Sequence, residues 1–335
     1  MKLEQHFSRY ANQRFCSKKM KTNKPKICVV GSSNIDLVVK SQRLPSPGET
    51  ILGGEFLMVP GGKGANQAVA AAKLGAEVYF IAKLGDDIFG AQSFANFKKE
   101  GVNTKYVTRT KKALSGVASI AVDKAGNNTI VVAPGTNHML SPRDVKRAEQ
   151  DIASCGALVA QLEIPMETVE FAAMLANKFK IPFILDPAPA QKLKPKLLEM
   201  TDVIKPNETE AKILTGVEVT DAKTAGKAAR SLLARGVKTV IITMGAKGFF
   251  VVNNEINEFF PAKKVKAVDS TAAGDAFVGG LAFCIARGRT ILEAALFAND
   301  VAALSVTKMG AQSSMPSMKE VEKFIKLKNK NDEEG

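Results

Sequence analysis

The chain is 335 residues long, 45% apolar and 24% charged, with 47 Lys and Arg against 33 Asp and Glu for a formal net charge of +14; this is the composition of a globular protein with one sizeable core. Four cysteines (Cys16, Cys28, Cys155, Cys284) form no CxxC pair and only His6 and His138 are present, which excludes a zinc cluster and points to a reducing compartment. No apolar run approaches the roughly 18 residues that span a bilayer, so a membrane protein is not expected.

Residues 1–25 are expected to be a basic, solvated extension. Residues 1–26 hold eight Lys or Arg against Glu4 alone, half of the net charge, and too little apolar surface to offset ordering entropy. The scarcity of acids also leaves an organelle transit peptide open. The remainder is only mildly basic. With no Trp, three Tyr and no helix-turn-helix or zinc-finger spacing, a nucleic-acid-binding module is set aside.

Ile27–Val30 then reads as a buried strand, followed by a β-rich stretch at 51–59, a glycine cluster at 61–64, and a helical run from Ala68 to Leu74 stopped by Gly75. Further short apolar strands are expected at Val78–Ile81, Ala157–Ala160, 182–185 and 239–242, separated by helical segments. Residues 116–132 form a second β-rich stretch, with a hairpin turn at 123–128. Ser141 and Pro142 mark one helix start, and Ser317 with Glu320 another, whose face Val321, Phe324 and Ile325 should dock on the sheet. Alternating strands and helices imply an α/β fold: a doubly wound, mostly parallel sheet flanked by helices, carrying a small β-sheet lid. The expected organisation is the extension 1–25, one domain over 26–327 with lid segments at about 37–60 and 115–134, and a charged tail at 328–335.

The chemistry concentrates at Asp269-Ser270-Thr271-Ala272-Ala273-Gly274-Asp275. Val265 and Val268 read as the end of a strand, and 276–283 as a buried helix. The first N–H groups of such a helix lack internal partners and, with the helix dipole, attract an anion. Small residues at Ala272, Ala273 and Gly274 let a phosphate reach them. Asp275 beside a phosphate suits a general base acting on an attacking hydroxyl; taken alone, the run reads first as a helix start that Asp275 caps or complements, and a second motif is needed to overturn that.

Together with Gly61-Gly62-Lys63-Gly64-Ala65-Asn66-Gln67, this run resembles the paired signatures of the ribokinase-like (PfkB) carbohydrate kinase family. The resemblance extends from about Lys26 to Lys326, through GSSNID (31–36), GDDIFG (85–90), QLE (161–163), KPNETE (205–210), TMGAKG (243–248) and KMGAQSS (308–314). It implies ATP-dependent phosphorylation of D-ribose at its 5-hydroxyl, with Asp275 as catalytic base and Asn34, Asp36, Gly62, Lys63, Asn66 and Glu163 as sugar contacts. GGKGAN sets the chain apart from adenosine kinases (GGSxxN) and fructokinases (GGAPAN). An amide at Asn34, facing a 2-hydroxyl, favours ribose over 2-deoxyribose, since a deoxy sugar would leave it unpaired. Another pentose, a nucleoside, a silent sugar-binding regulator and a polyanion binder follow in that order.

On the nucleotide side there is no GxxxxGK[ST]. The resemblance assigns ATP to Asn207, Thr243, Gly245, Gly248, Ala272, Ala273, Gly274 and Asn299. Asn207 and Glu210 would hold Mg2+ largely through water, which suits its preference for hard oxygens; by themselves they read as a helix cap. K+ would sit under the cradle on Asp269, Thr271, Ser305, Lys308, Gly310 and Ser314. Ala272 stands where the family's GAGD has glycine, a methyl expected to be harmless unless the position needs positive φ. In many members of the family the lids pair two subunits, which implies a homodimer, and a cytoplasmic location is expected.

Overall fold

The computed structural model describes residues 24–333. The extension expected over 1–25 lies outside them except for its last two residues, and of the charged end at 328–335 only the helical backbone to Glu333 is described.

In chain order the strands are β1 (Lys26–Val30), β2 (Asn34–Lys40), β3 (Phe56–Gly61), β4 (Glu77–Gly85), β5 (Val107–Thr110), β6 (Gly116–Val122), β7 (Asn128–Ala133), β8 (Ala157–Gln161), β9 (Phe183–Asp186), β10 (Val203–Ile204), β11 (Thr239–Thr243), β12 (Gly248–Val252) and β13 (Asn257–Pro261). Nine form the main sheet, in the order β13-β12-β11-β10-β9-β8-β1-β4-β5. It is parallel except at β11–β12–β13. Alternate residues serve opposite faces, as the pleat requires: Ile27 and Val29 join one apolar layer, Cys28 and Val30 the other. The first layer is covered by the helices Lys63–Lys73, Ala273–Ala286, Ile291–Ser305 and Met318–Glu333, the second by Met166–Phe179 and Ala222–Leu233. The doubly wound architecture expected from the alternating runs is therefore the one observed.

The chain runs outward from β1 to β4 and β5, then returns to β8 on the other flank of β1 and continues toward β13. The order reverses between β1 and β8, and ligands of such sheets bind beyond the carboxyl ends of the strands at that point. Ser32–Asp36 follow β1, Glu163 follows β8, Asp186 ends β9, Lys205 follows β10 and Thr243 ends β11, so all of them gather at one rim.

Over this rim stands a four-stranded sheet, β3-β2-β6-β7. The β-rich stretch at 51–59 becomes a strand only from Phe56. The lid is not wholly antiparallel, because β2 pairs with β6 in parallel. The hairpin at 123–128 forms as expected, with Asp123 accepting the Ala125 and Asn127 N–H groups. Val265–Val268 is not a strand. Val268 is half exposed, and it and Asp269 donate their N–H groups to the Val306 carbonyl, which fastens the segment to the end of Ile291–Ser305 rather than to the sheet.

Candidate active site

Two helix starts meet at the rim. In Lys63–Lys73 the preceding residue, Gly62, has φ 89°, a conformation that glycine tolerates best. In Ala273–Ala286 the preceding residue is Ala272 at φ 59°. The harmless methyl expected there is thus corrected: the position needs positive φ, which costs an L-residue about 1–2 kcal/mol. The two helices cross at Ala70 and Gly279, where an added Cβ would come within 2.5 Å of the Ala70 Cβ. Asn66 and Asp275 each lie one turn before that crossing, so close packing there brings them side by side.

Asp275 does not cap its helix. Its Oδ2 accepts from Asn66 Nδ2 at 2.9 Å and its Oδ1 from Gln67 Nε2 at 3.0 Å. Burial pushes its pKa up; Lys63 pulls it down, Asp186 pushes up again, and the two amide bonds oppose that, leaving a net rise. Lys63 is subject to the reverse balance: burial alone would lower its pKa, but Asp275, Asp186, Glu163 and Glu210 raise it well above the ordinary lysine range. Asp36, in β2, is raised to about 7 by burial and then by Glu163 and Asp275. Glu163 accepts from the Ser32 hydroxyl and, at 3.0 Å, from the Lys63 N–H. Asn34 accepts from Asn137 Nδ2 at 2.7 Å, which leaves its own NH2 free of that bond. Asp36, Lys63, Glu163 and Asp275 therefore form one electrostatic cluster below the lid, with Asn34 and Asn66 at its edges.

The nucleotide and metal candidates are arranged around the same rim. Asn207 and Glu210 form a capping box: Asn207 Oδ1 accepts the Glu210 N–H and Glu210 Oε2 the Asn207 N–H, both at 2.8 Å. This is the cap that the residues alone suggested. No group of three His, Cys, Asp or Glu among the described residues could cage a metal, but burial raises the Glu210 pKa, with Asp186 adding to it. A partly desolvated carboxylate beside an amide fits a cation that keeps most of its water. Thr243 bridges to Asn207, and its N–H donates to the Pro206 carbonyl. Gly245 and Gly248 open the turn that follows, both at positive φ. Asn299 is buried and donates to the Pro261 carbonyl at 3.2 Å, tying its helix to β13.

Asp269 laces two loops: Oδ1 accepts from the Thr271 N–H and hydroxyl, and Oδ2 from the Gly310 N–H. Despite partial burial, these bonds hold its pKa below the usual carboxylate range. An ionised carboxylate between two loops fits a monovalent cation. The Ser305 and Ser314 hydroxyls donate to the Ala302 and Ala311 carbonyls and keep their oxygen lone pairs, whereas the Lys308 ammonium goes to Glu320, so Lys308 has only its main-chain carbonyl to offer a cation.

Several residues at the site carry no role in the sequence reading. Lys205, 4% exposed, lies 3.0 Å from Asp186 Oδ1 without the alignment of a hydrogen bond, and a Cβ added to Gly274 would meet its ammonium at 3.2 Å. It places a buried positive charge against the helix start at Gly274. Asp186, Gln67, Gln161, Gln312 and Asn137 are likewise buried polar groups. A Lys heading KPNETE directly after a buried strand was the available signal for the first; the others are short polar residues whose partners lie far away in sequence.

A profile of pfkB family carbohydrate kinases matches residues 24–318. The chain is 44% identical over 299 residues to a ribokinase of Haemophilus influenzae, covering 89% of this chain and 98% of that one. It is 40% identical over 302 residues to a deoxyribokinase of Salmonella typhi, covering 90% and 99%. Among solved structures, an Arabidopsis thaliana ribokinase complexed with ribose and ATP superposes with a TM-score of 0.82 at 32% identity, over 91% of this chain and 99% of that one.

Proposed function

Because the chain belongs to the pfkB family of carbohydrate kinases, and is an ATP-dependent phosphotransferase on that ground, we propose that its substrate is D-ribose and its product D-ribose 5-phosphate. The observation that carries the reading is the buried Asp275 carboxylate, turned away from capping its own helix and set at the start of an amide-lined cradle. The 5-hydroxyl gives its proton to Asp275 and attacks the γ-phosphorus in line as the bond from that phosphorus to the bridging oxygen breaks and ADP leaves, while the amides of 272–275 and Lys63 take up charge on the transferring group. Asp36 accepts from two vicinal sugar hydroxyls, with Glu163 and Lys63 beside it. Mg2+ held near Asn207 and Glu210 would supply charge neutralisation on the phosphates, and K+ at the Asp269 loops would orient peptide dipoles toward them.

Ribose is preferred over 2-deoxyribose because Asn34 has its oxygen engaged by Asn137, which aims the NH2 elsewhere as a donor for a 2-hydroxyl oxygen. Both sugars occur in the names of relatives at similar identity, so the residue carries the choice. A homodimer through the lid fits the exposed strand β7 and the exposed side chains Phe56, Met58, Ile130, Val131 and Val132. No helix among the described residues is long and apolar enough to cross a membrane, and a cytoplasmic location is proposed. ADP release from MgATP across D-ribose, 2-deoxyribose, fructose and adenosine, with and without K+, tests the reading. Ribose is expected to give the highest kcat/KM, and a higher value for any other acceptor contradicts it.

A further inference from the structure

Both oxygens of Asp275 are approached by amide groups that are themselves held by amides. On one side Gln161 Nε2 donates to Gln67 Oε1 at 2.6 Å, and Gln67 Nε2 donates to Asp275 Oδ1 at 3.0 Å and to Asp186 Oδ2 at 2.8 Å. On the other, Asn96 Nδ2 donates to Gln312 Oε1 at 2.7 Å, Gln312 Nε2 to Asn66 Oδ1 at 3.1 Å, and Asn66 Nδ2 to Asp275 Oδ2 at 2.9 Å. The direction of each chain follows from chemistry. An ionised carboxylate only accepts, so Gln67 and Asn66 must present NH2 to it; their oxygens then face outward and can be met only by donors. Gln67, Gln161, Asn66 and Gln312 are all buried, so a reversed amide would leave carbonyl oxygen against carboxylate with no water to relieve it. The space is built for this: a Cβ on Gly31 would fall 2.1 Å from Gln161 Oε1.

We propose that Gln67, Gln161, Gln312 and Asn96 are positioning residues for phosphoryl transfer, forming two head-to-tail amide chains that aim the two oxygens of Asp275 and favour its charged form. The idea rests on Asp275 as the base. The amides are set against a charged surrounding of Lys63 on the same helix as Gln67, Asp186 with Lys205 on the neighbouring strands, and Asp36 and Glu163 below the lid. Asp186 and Asp275 share the single Gln67 NH2, which separates two like charges in a buried site. Gln312 lies in the same 308–314 segment as the Gly310 N–H bonded to Asp269, so one chain passes through the loop that frames the proposed monovalent-cation site.

The test is the pH dependence of kcat at saturating ribose and ATP for Gln67→Met and Gln312→Met, near-isosteric changes that remove the donor, with Asp275→Asn measured alongside. Loss of the Gln67 bond to the charged carboxylate should move the acid limb of kcat upward by about one to two pH units, and loss of Gln312, which acts through Asn66, should move it the same way in smaller measure, with most of the rate recovered on the alkaline side and KM for ribose within about threefold of wild type. An unmoved limb, with or without a uniform drop in kcat, overturns the proposal and leaves these residues as packing. If Gln67→Met does not fold, Gln161→Met, one residue further from the base, must show the same displacement in smaller measure. An active Asp275→Asn would overturn the base itself, so failure of the chains and failure of the mechanism are distinguishable.

Discussion

Asp36→Asn makes the cost of building this site measurable. In the ligand-free protein the Asp36 carboxyl is raised from 3.8 to about 7, first by burial and then by Glu163 and Asp275. The folded protein therefore holds a proton there that the unfolded chain releases, and stability falls as pH rises from about 4 to about 7. At 1.36 kcal/mol per pH unit that penalty is on the order of 4 kcal/mol, and solvent screening in an open cleft reduces it to about 2–4 kcal/mol. The asparagine keeps the shape and removes the charge. Ligand-free Asp36→Asn should melt about 4–8 °C above wild type at pH 8, at about 2 °C per kcal/mol for a chain of this size. The difference should shrink as pH falls below about 7 and disappear only below about pH 4, where the carboxyl is protonated in the folded and unfolded chains alike. Since the chain has no Trp, circular dichroism or calorimetry is the assay, and ribose affinity should fall sharply in the same variant. Equal melting temperatures at pH 8, or a difference independent of pH, would refute the electrostatic reasoning.

Ala272→Gly removes the positive-φ penalty at the cradle but adds freedom to the unfolded chain, so a net gain of about 0.5–1 kcal/mol is expected in denaturant unfolding; a loss of stability would contradict the strain. Asn34→Ala should lower kcat/KM for ribose by about 10-fold or more while leaving that for 2-deoxyribose within about threefold, and an equal drop for both sugars would remove Asn34 from the recognition of the 2-hydroxyl. Asp269→Asn should flatten the rise in rate on adding K+, measured at fixed ionic strength, and a response like that of wild type would displace the cation from this loop.

The architecture was legible because its central strands are buried on both faces and so read as unbroken apolar runs: Ile27–Val30 and Ala157–Ala160 have no solvent side to interrupt them. β10 is only Val203–Ile204, too short to stand out, and Val265–Val268 had the right composition but its N–H groups go to Val306 rather than to a neighbouring strand. At the site, residues held by local chemistry were readable: Asn207 and Glu210 are three apart, and their cap is visible as a spacing. Ala272 was readable only as a condition: the glycine that the family carries there allows either hand, and only the backbone at φ 59° shows that the left-handed one is required. Gln67, Gln161 and Gln312 were not readable, because their partners lie 94 to 246 residues away and their value depends on the direction of an amide that only the folded carboxylate dictates.

The most direct test of the whole account is the single-turnover rate of Asp275→Asn with MgATP and D-ribose, read beside the ribose dissociation constant. General base catalysis typically contributes about 10²–10⁴-fold, so the account predicts a rate at least 100-fold below wild type with ribose binding little changed. A variant that transfers phosphate at a rate near wild type would contradict it.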